Sequence, residues 1–310
     1  MPDSSSSPPA PAVPPHWGLG IGLLAVSTAS IIIRFAQNDG AASLAIAAYR
    51  LTLASLFALP LALWRGRAEL HALSRREWAL ASVSGAFLGL HFGLWITSLA
   101  YTSVASSVVL VSTAPLFVAL IAAVFLRENI SPPLAAGMSV ATVGGIIVWL
   151  SDACTARGCP PVSEFLRGPA FFGNALALAG AVAIALYYSL GRRLRASMSL
   201  VVYIGLTYGA AAMVLGVAAL GLRVPLTGYA PQTYFWFLLL ALMPQLVGYS
   251  ALNWALKYLP ATYVSVTVLG EPVGSTLLAM FLFGETPSWL KVIGGALTLV
   301  GILIASRRAA

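Results

Sequence analysis

The chain has 310 residues, 59% of them hydrophobic and only 8% charged, whereas a soluble domain is about a quarter charged and needs those charges to face water. This composition excludes an ordinary water-soluble domain. The formal charge of +8 does not point to a nucleic-acid partner either, because the basic residues sit in short clusters between apolar runs, where anionic lipid and membrane topology account for them.

Residues 1–16 are Ser- and Pro-rich, carry no basic residue ahead of the first apolar run, and read as a disordered cytoplasmic tail. The run that follows is long enough to span and is expected to stay in the mature protein. The apolar runs approach about 20 residues, the length at which an α-helix crosses hydrocarbon while satisfying its own backbone. Cutting them at Pro, Gly and charge clusters predicts five spans in residues 17–150, at 17–35, 42–64, 78–98, 103–125 and 133–150. A loop over 151–168 follows, and residues 169–306 supply five more spans at 169–191, 199–221, 233–255, 261–283 and 287–306. The expected fold class is an all-α membrane protein of ten transmembrane helices.

Eleven of the 17 Lys and Arg fall on the side of the N-terminus, five on the opposite side, and Arg50 lies inside the second span. Because cytoplasmic loops keep positive charge, both termini are expected in the cytoplasm of a bacterium whose inner membrane holds the chain. Cys154 and Cys159 then sit in the extracytoplasmic 151–168 loop, where a disulfide and two unpaired thiols are both compatible with the spacing. They have too few companions to form a metal site.

A shift of 157 residues lays Tyr101 on Tyr258, Pro115 on Pro272, Glu128 on Glu285, Ser131 on Ser288, Gly137 on Gly294 and Gly144 on Gly301 without a gap. An ordered series of this kind points to internal duplication. Five helices is an odd number, so the second repeat starts on the opposite side of the membrane and the halves are expected to have inverted topology, an architecture that lets a carrier expose one central site alternately to each side.

The segments APLFVALIAAVFLRE and EPVGSTLLAMFLFGE, each followed by a Gly-spaced helix, make the chain similar to the EamA family of the drug/metabolite transporter superfamily. The resemblance covers essentially the whole chain after the tail. It implies a ten-helix exporter of amino acids or other small metabolites, most like those of the YddG type that carry aromatic and other neutral amino acids.

Polar side chains at membrane depth are costly unless they face protein or water. Gln245, Tyr249 and Asn253 recur at four-residue steps, as do His91, Trp95 and Ser98 approximately, and Ser27, Ser30 and Arg34 share a face of the first span. These stripes line a central cavity or stitch helices together by hydrogen bonds. His91 offers a proton relay or one satisfied hydrogen bond. Trp95, Tyr249, Tyr187 and Tyr188 offer flat surface for a neutral or aromatic substrate, or ordinary packing. Glu271 is the acid least at home, and Arg50, eight residues into its span, is expected to snorkel to the outer interface unless it meets an acid or a substrate carboxylate. Pro115 and Pro272 should kink equivalent helices, as hinges or as static bends. Gly137 with Gly144 and Gly294 with Gly301 suit close helix packing, inside the chain or across a homodimer.

The cargo is expected to be a small molecule, with no cofactor and no metal. A phosphate loop of the GxxxxGK[ST] kind is absent, as are HExxH and GxSxG, so an ATP-driven pump and an embedded hydrolase are disfavoured. Export of cationic drugs and passive conduction stay open beside amino-acid export.

Overall fold

In a computed structural model of the chain, the residues described are 14–126, 132–151, 167–195, 197–255 and 268–306. Among them the regular structure is helical, with no strand. The helices are α1 (Pro15–Ser27), α2 (Ala29–Asn38), α3 (Ser43–Arg65), α4 (Arg67–Ala72), α5 (Arg75–Ser98), α6 (Val104–Val111), α7 (Ala114–Leu126) and α8 (Pro132–Ser151). The second half holds α9 (Pro169–Leu194), α10 (Leu200–Gly221), α11 (Pro231–Leu240), a π-helix over Ala241–Tyr249, α12 (Ser250–Ala255), α13 (Gly270–Phe283) and α14 (Trp289–Ser306).

Eight helical stretches are long and apolar enough to cross a membrane, and α13 and most of α14 are shorter apolar helices. Each overlaps one of the predicted runs, eight of them long enough to span, while the start of the ninth run, the two cysteines, Glu128 and Tyr258 lie outside the described residues. Serine marks several starts. Ser74 and Glu77 close a capping box on α5, and the Ser103 and Ser199 hydroxyls accept from Ser106 N and Val202 N at the heads of α6 and α10.

Four of the runs are interrupted. The first breaks at Thr28, whose hydroxyl bonds back to Ala25 O at 2.7 Å, a contact that bends helices. The fourth breaks at Ser112 and Thr113 and the ninth at Leu269, so Pro115 and Pro272 sit in the first turn of the segment that follows, where a missing N–H costs nothing. In the eighth run Pro244 lies inside the π-helix, whose wider turn absorbs the lost bond.

The duplication is visible in the helix bounds. Shifting Ser43 and Pro132 by 157 gives 200 and 289, the first residues of α10 and α14. Packing follows the same pairing, for α3 packs on its equivalent α10 and α8 on its equivalent α14, while α5 packs on α9 as the eighth run packs on α1. The seam between α8 and α14 is built on glycine. A Cβ added to Gly144 would meet Thr298 N and lie 2.6 Å from Gly294 O, and one added to Gly301 would meet Ala141 N and lie 2.7 Å from Gly137 O. These contacts run in opposite order along the two helices, so α8 and α14 are antiparallel. The glycine stripes are therefore occupied inside the chain and are not a free homodimer face.

Candidate functional site

Arg50 stands at the centre of the helical bundle. Ala47, Arg50, Ala54 and Ala58 share the packed face of α3 and are all buried, while Leu56, Phe57, Leu63 and Trp64 take the outward face. The arginine does not snorkel, contrary to expectation: it is 0% exposed. Its Nε donates to Gln245 Oε1 at 2.9 Å, and its guanidinium carbon lies 4.1 Å from the centre of the Phe92 ring and 5.8 Å from that of Tyr249. The π-helix is what presents Gln245 and Tyr249 together, and Tyr249 in turn meets Phe92 edge to face at 5.8 Å. Two aromatic faces and one amide oxygen thus hold the cation, yet both terminal nitrogens, Nη1 and Nη2, are buried without an acceptor.

Glu271, in the first turn of α13, is within electrostatic reach of Arg50, Tyr188 and Tyr249. It does not close on the arginine, because the ion pair within 4.0 Å among the described residues is Arg34 with Glu285. Glu271 keeps partial exposure at this depth. Tyr188 is 42% exposed and lies within electrostatic reach of Glu271, Tyr203, Tyr208 and Tyr249. Glu271 and Tyr188 keep accessible surface, whereas Arg50, which lies within the field of Glu271, has none.

The predicted site residues divide into those that join this cluster and those that do not. Gln245, Tyr249, Tyr188 and Glu271 join it. His91 does not present a free ring: its Nδ1 is 3.0 Å from Gly180 O of α9, and the ring stacks on Trp95 at 5.9 Å and 10°. Both residues act as a seam between α5 and α9. Ser98 bonds Ser107 Oγ at 2.6 Å, across to α6. Ser27 is packed against Gly274, and its carbonyl accepts from Ser275 Oγ at 3.1 Å. Ser30 is buried with its hydroxyl unpaired, and Tyr187 is buried against Tyr188 and Tyr203. The side chain of Asn253 lies outside the described residues.

Sequence spacing did not bring out Phe92 or Tyr208, nor Arg50 as a hub. The alanines at three- and four-residue steps around Arg50 were the available signal that its face is packed.

Polar ties close both ends of the bundle. At one end Arg34 pairs with Glu285 at 3.4 Å and donates to Thr102 O at 3.0 Å, while Glu285 accepts from Val104 N at 3.0 Å and Lys291 Nζ donates to Ser103 Oγ at 2.8 Å. A cleft of about 370 Å³ opens over this latch, lined by Tyr101, Thr102 and Ala170 among others. At the other end Glu69 accepts from Ser199 N at 2.6 Å and Glu77 from Ser197 Oγ at 3.2 Å, which ties α4 and α5 to the head of α10. Among the described residues no group of His, Cys, Asp and Glu is placed to hold a metal ion.

The model of the EamA-like transporter family matches residues 16–150 and again 171–307. An uncharacterized transporter of Archaeoglobus fulgidus is 26% identical over 273 residues, which is 85% of this chain and 87% of that one. A second from the same organism is 28% identical over 218 residues, or 67% and 70% of the two chains. A probable terminal-alkyne amino-acid exporter of Streptantibioticus cattleyicolor is 26% identical over 211 residues, or 64% and 63%. A solved crystal structure superposes with a TM-score of 0.62 at 21% identity over 94% of this chain and 96% of its own, and so shares the fold.

Proposed function

The chain belongs to the EamA-like transporter family, and on that premise we propose that it exports neutral and aromatic amino acids or similar small metabolites across the bacterial inner membrane by alternating access. It is a transporter and not an enzyme. One observation carries the choice of a central binding site: a fully buried arginine keeps two terminal nitrogens unpaired, with the partly exposed Glu271 within electrostatic reach. A charge at that depth is expensive unless something of opposite charge meets it.

Several features support two inverted five-helix halves as the moving parts. The last helices of the halves are antiparallel, the helix bounds repeat at one offset, and the contacts recur in matched pairs. Breaks ahead of Pro115 and Pro272 give each half a place to bend, and the ties at the two ends give each a contact to release. The relative named as an amino-acid exporter and the flat Tyr188 and Tyr249 faces favour amphipathic amino acids as cargo. With both termini cytoplasmic, the Arg34–Glu285 latch closes the outer end.

Glu271 beside two tyrosines also favours a second cargo, organic cations. The deciding experiment is counterflow in proteoliposomes with neutral amino acids, nucleosides and quaternary ammonium drugs. Saturable exchange of phenylalanine or leucine supports the first cargo, and exchange of the ammonium compounds alone replaces it with the second. Unsaturable flux of every solute would make the protein a channel and overturn the carrier.

A further inference from the structure

We infer that Arg50 and Glu271 are the two arms of a zwitterion clamp, the arginine fork taking the carboxylate of an α-amino acid and Glu271 taking its ammonium. The inference rests on the amino-acid reading above and deepens it. Guanidinium is a planar donor fork matched to carboxylate, and two parallel bonds from one edge are its strongest interaction. Here Nε is already committed to Gln245 Oε1, which fixes the plane of the fork against Phe92. Nη1 and Nη2 are left as a buried pair with nothing to donate to. A positioned fork without an acceptor is what a carboxylate-binding group should look like before its ligand arrives.

Glu271 supplies the complementary half. A buried arginine and a carboxylate within each other's field would lower their energy most by closing into a salt bridge, yet they stand apart. No hydrogen bond ties the Glu271 carboxylate to another described side chain, and it keeps partial exposure at this depth. An α-amino acid, which carries its carboxylate and ammonium on one carbon, would bridge two such groups, each charge meeting its opposite. The side chain of that molecule then lies along Tyr188 and Tyr249. Neither charge has a counterpart in the other half, where Thr207 and Ala114 hold the equivalent positions, so the site is polar in one direction and holds its ligand in one orientation.

The test uses three probes of one shape against the full-length protein in proteoliposomes: phenylalanine, phenethylamine without the carboxylate, and 3-phenylpropanoate without the ammonium. For wild type, both single-charge analogues should compete with phenylalanine at least about 10- to 100-fold more weakly than phenylalanine itself, the loss of one charge-assisted contact. Arg50→Gln should raise the half-saturation for phenylalanine by a similar factor while leaving competition by phenethylamine unchanged. Glu271→Gln should do the converse, sparing 3-phenylpropanoate. Arg50→Lys, which keeps the charge and loses the fork, should fall between. Equal competition by all three probes in wild type would overturn the clamp, as would variants that weaken all three alike. Wild type that exchanges no amino acid would instead overturn the transport reading on which the clamp rests. If Arg50→Gln does not fold, the wild-type comparison decides by itself.

Discussion

Removing the charge from Glu285 should open the outer end of the carrier. The Arg34 nitrogen lies 3.4 Å from the carboxylate, with the two side chains 20% and 26% exposed, so the effective dielectric is well above that of the interior. Taking it as roughly 40 to 80, Coulomb's law gives about 1 to 2.5 kcal/mol for the pair. Glu285→Gln keeps an oxygen for Val104 N, so most of that loss is electrostatic, and the outward-open fraction should rise about 5- to 70-fold. The assay is labelling of a single cysteine at Tyr188→Cys, in a protein with Cys154 and Cys159 changed to serine, by a membrane-impermeant maleimide applied from outside. Labelling should accelerate by that factor in Glu285→Gln and at least as much in Arg34→Gln, which also loses the bond to Thr102 O, with no gain in the double variant beyond Arg34→Gln because the ion pair is already gone. Raising ionic strength should accelerate wild type but not the variants. Unchanged labelling in both single variants, or additive gains in the double, would refute the latch.

Two further outcomes follow from packing and hydrogen bonding. Gly301→Ala drives a methyl into the backbone of α8, whereas Gly295→Ala meets only Val109 Cγ2 at 3.6 Å; the first should cost about 1 to 3 kcal/mol and several degrees of Tm in detergent, the second almost nothing, and equal melting would contradict the glycine seam. His91→Phe keeps a ring stacked on Trp95 and loses the bond to Gly180 O, so stability should fall by about 1 kcal/mol while counterflow and its pH profile persist. A flattened pH profile would return His91 to the role of proton relay.

Most of the fold was legible because lipid permits so few structures. Apolar length located the helices, and the 157-residue offset revealed the duplication that the helix bounds repeat. The site was legible in part. Of the stripe on the eighth run, Gln245 and Tyr249 both meet Arg50, and Glu271 stood out as an acid at membrane depth. The stripe on the third run was equally regular, but His91 and Trp95 meet α9 and Ser98 meets α6, since a four-residue period states that side chains share a face and not which neighbour the face meets. Arg50 was misplaced for a related reason. Snorkelling is the right expectation for an arginine on a lipid-facing surface, and depth was weighed without the alanines that mark its face as packed. The π-helix was out of reach, because Pro244 announces a lost hydrogen bond but not whether the chain will kink or widen around it.

The seam between α8 and α14 has a geometry normally found between separate molecules. Gly144 against Gly294 and Gly301 against Gly137 are one contact made twice, as at the interface of a two-fold dimer. Two identical five-helix chains meeting this way could place an arginine at the centre only in duplicate, and a glutamate likewise. Joining the halves covalently released them from that constraint. A single cation at position 50 and a single anion at position 271, each facing an uncharged equivalent, are a pattern that no symmetric pair of short chains can write.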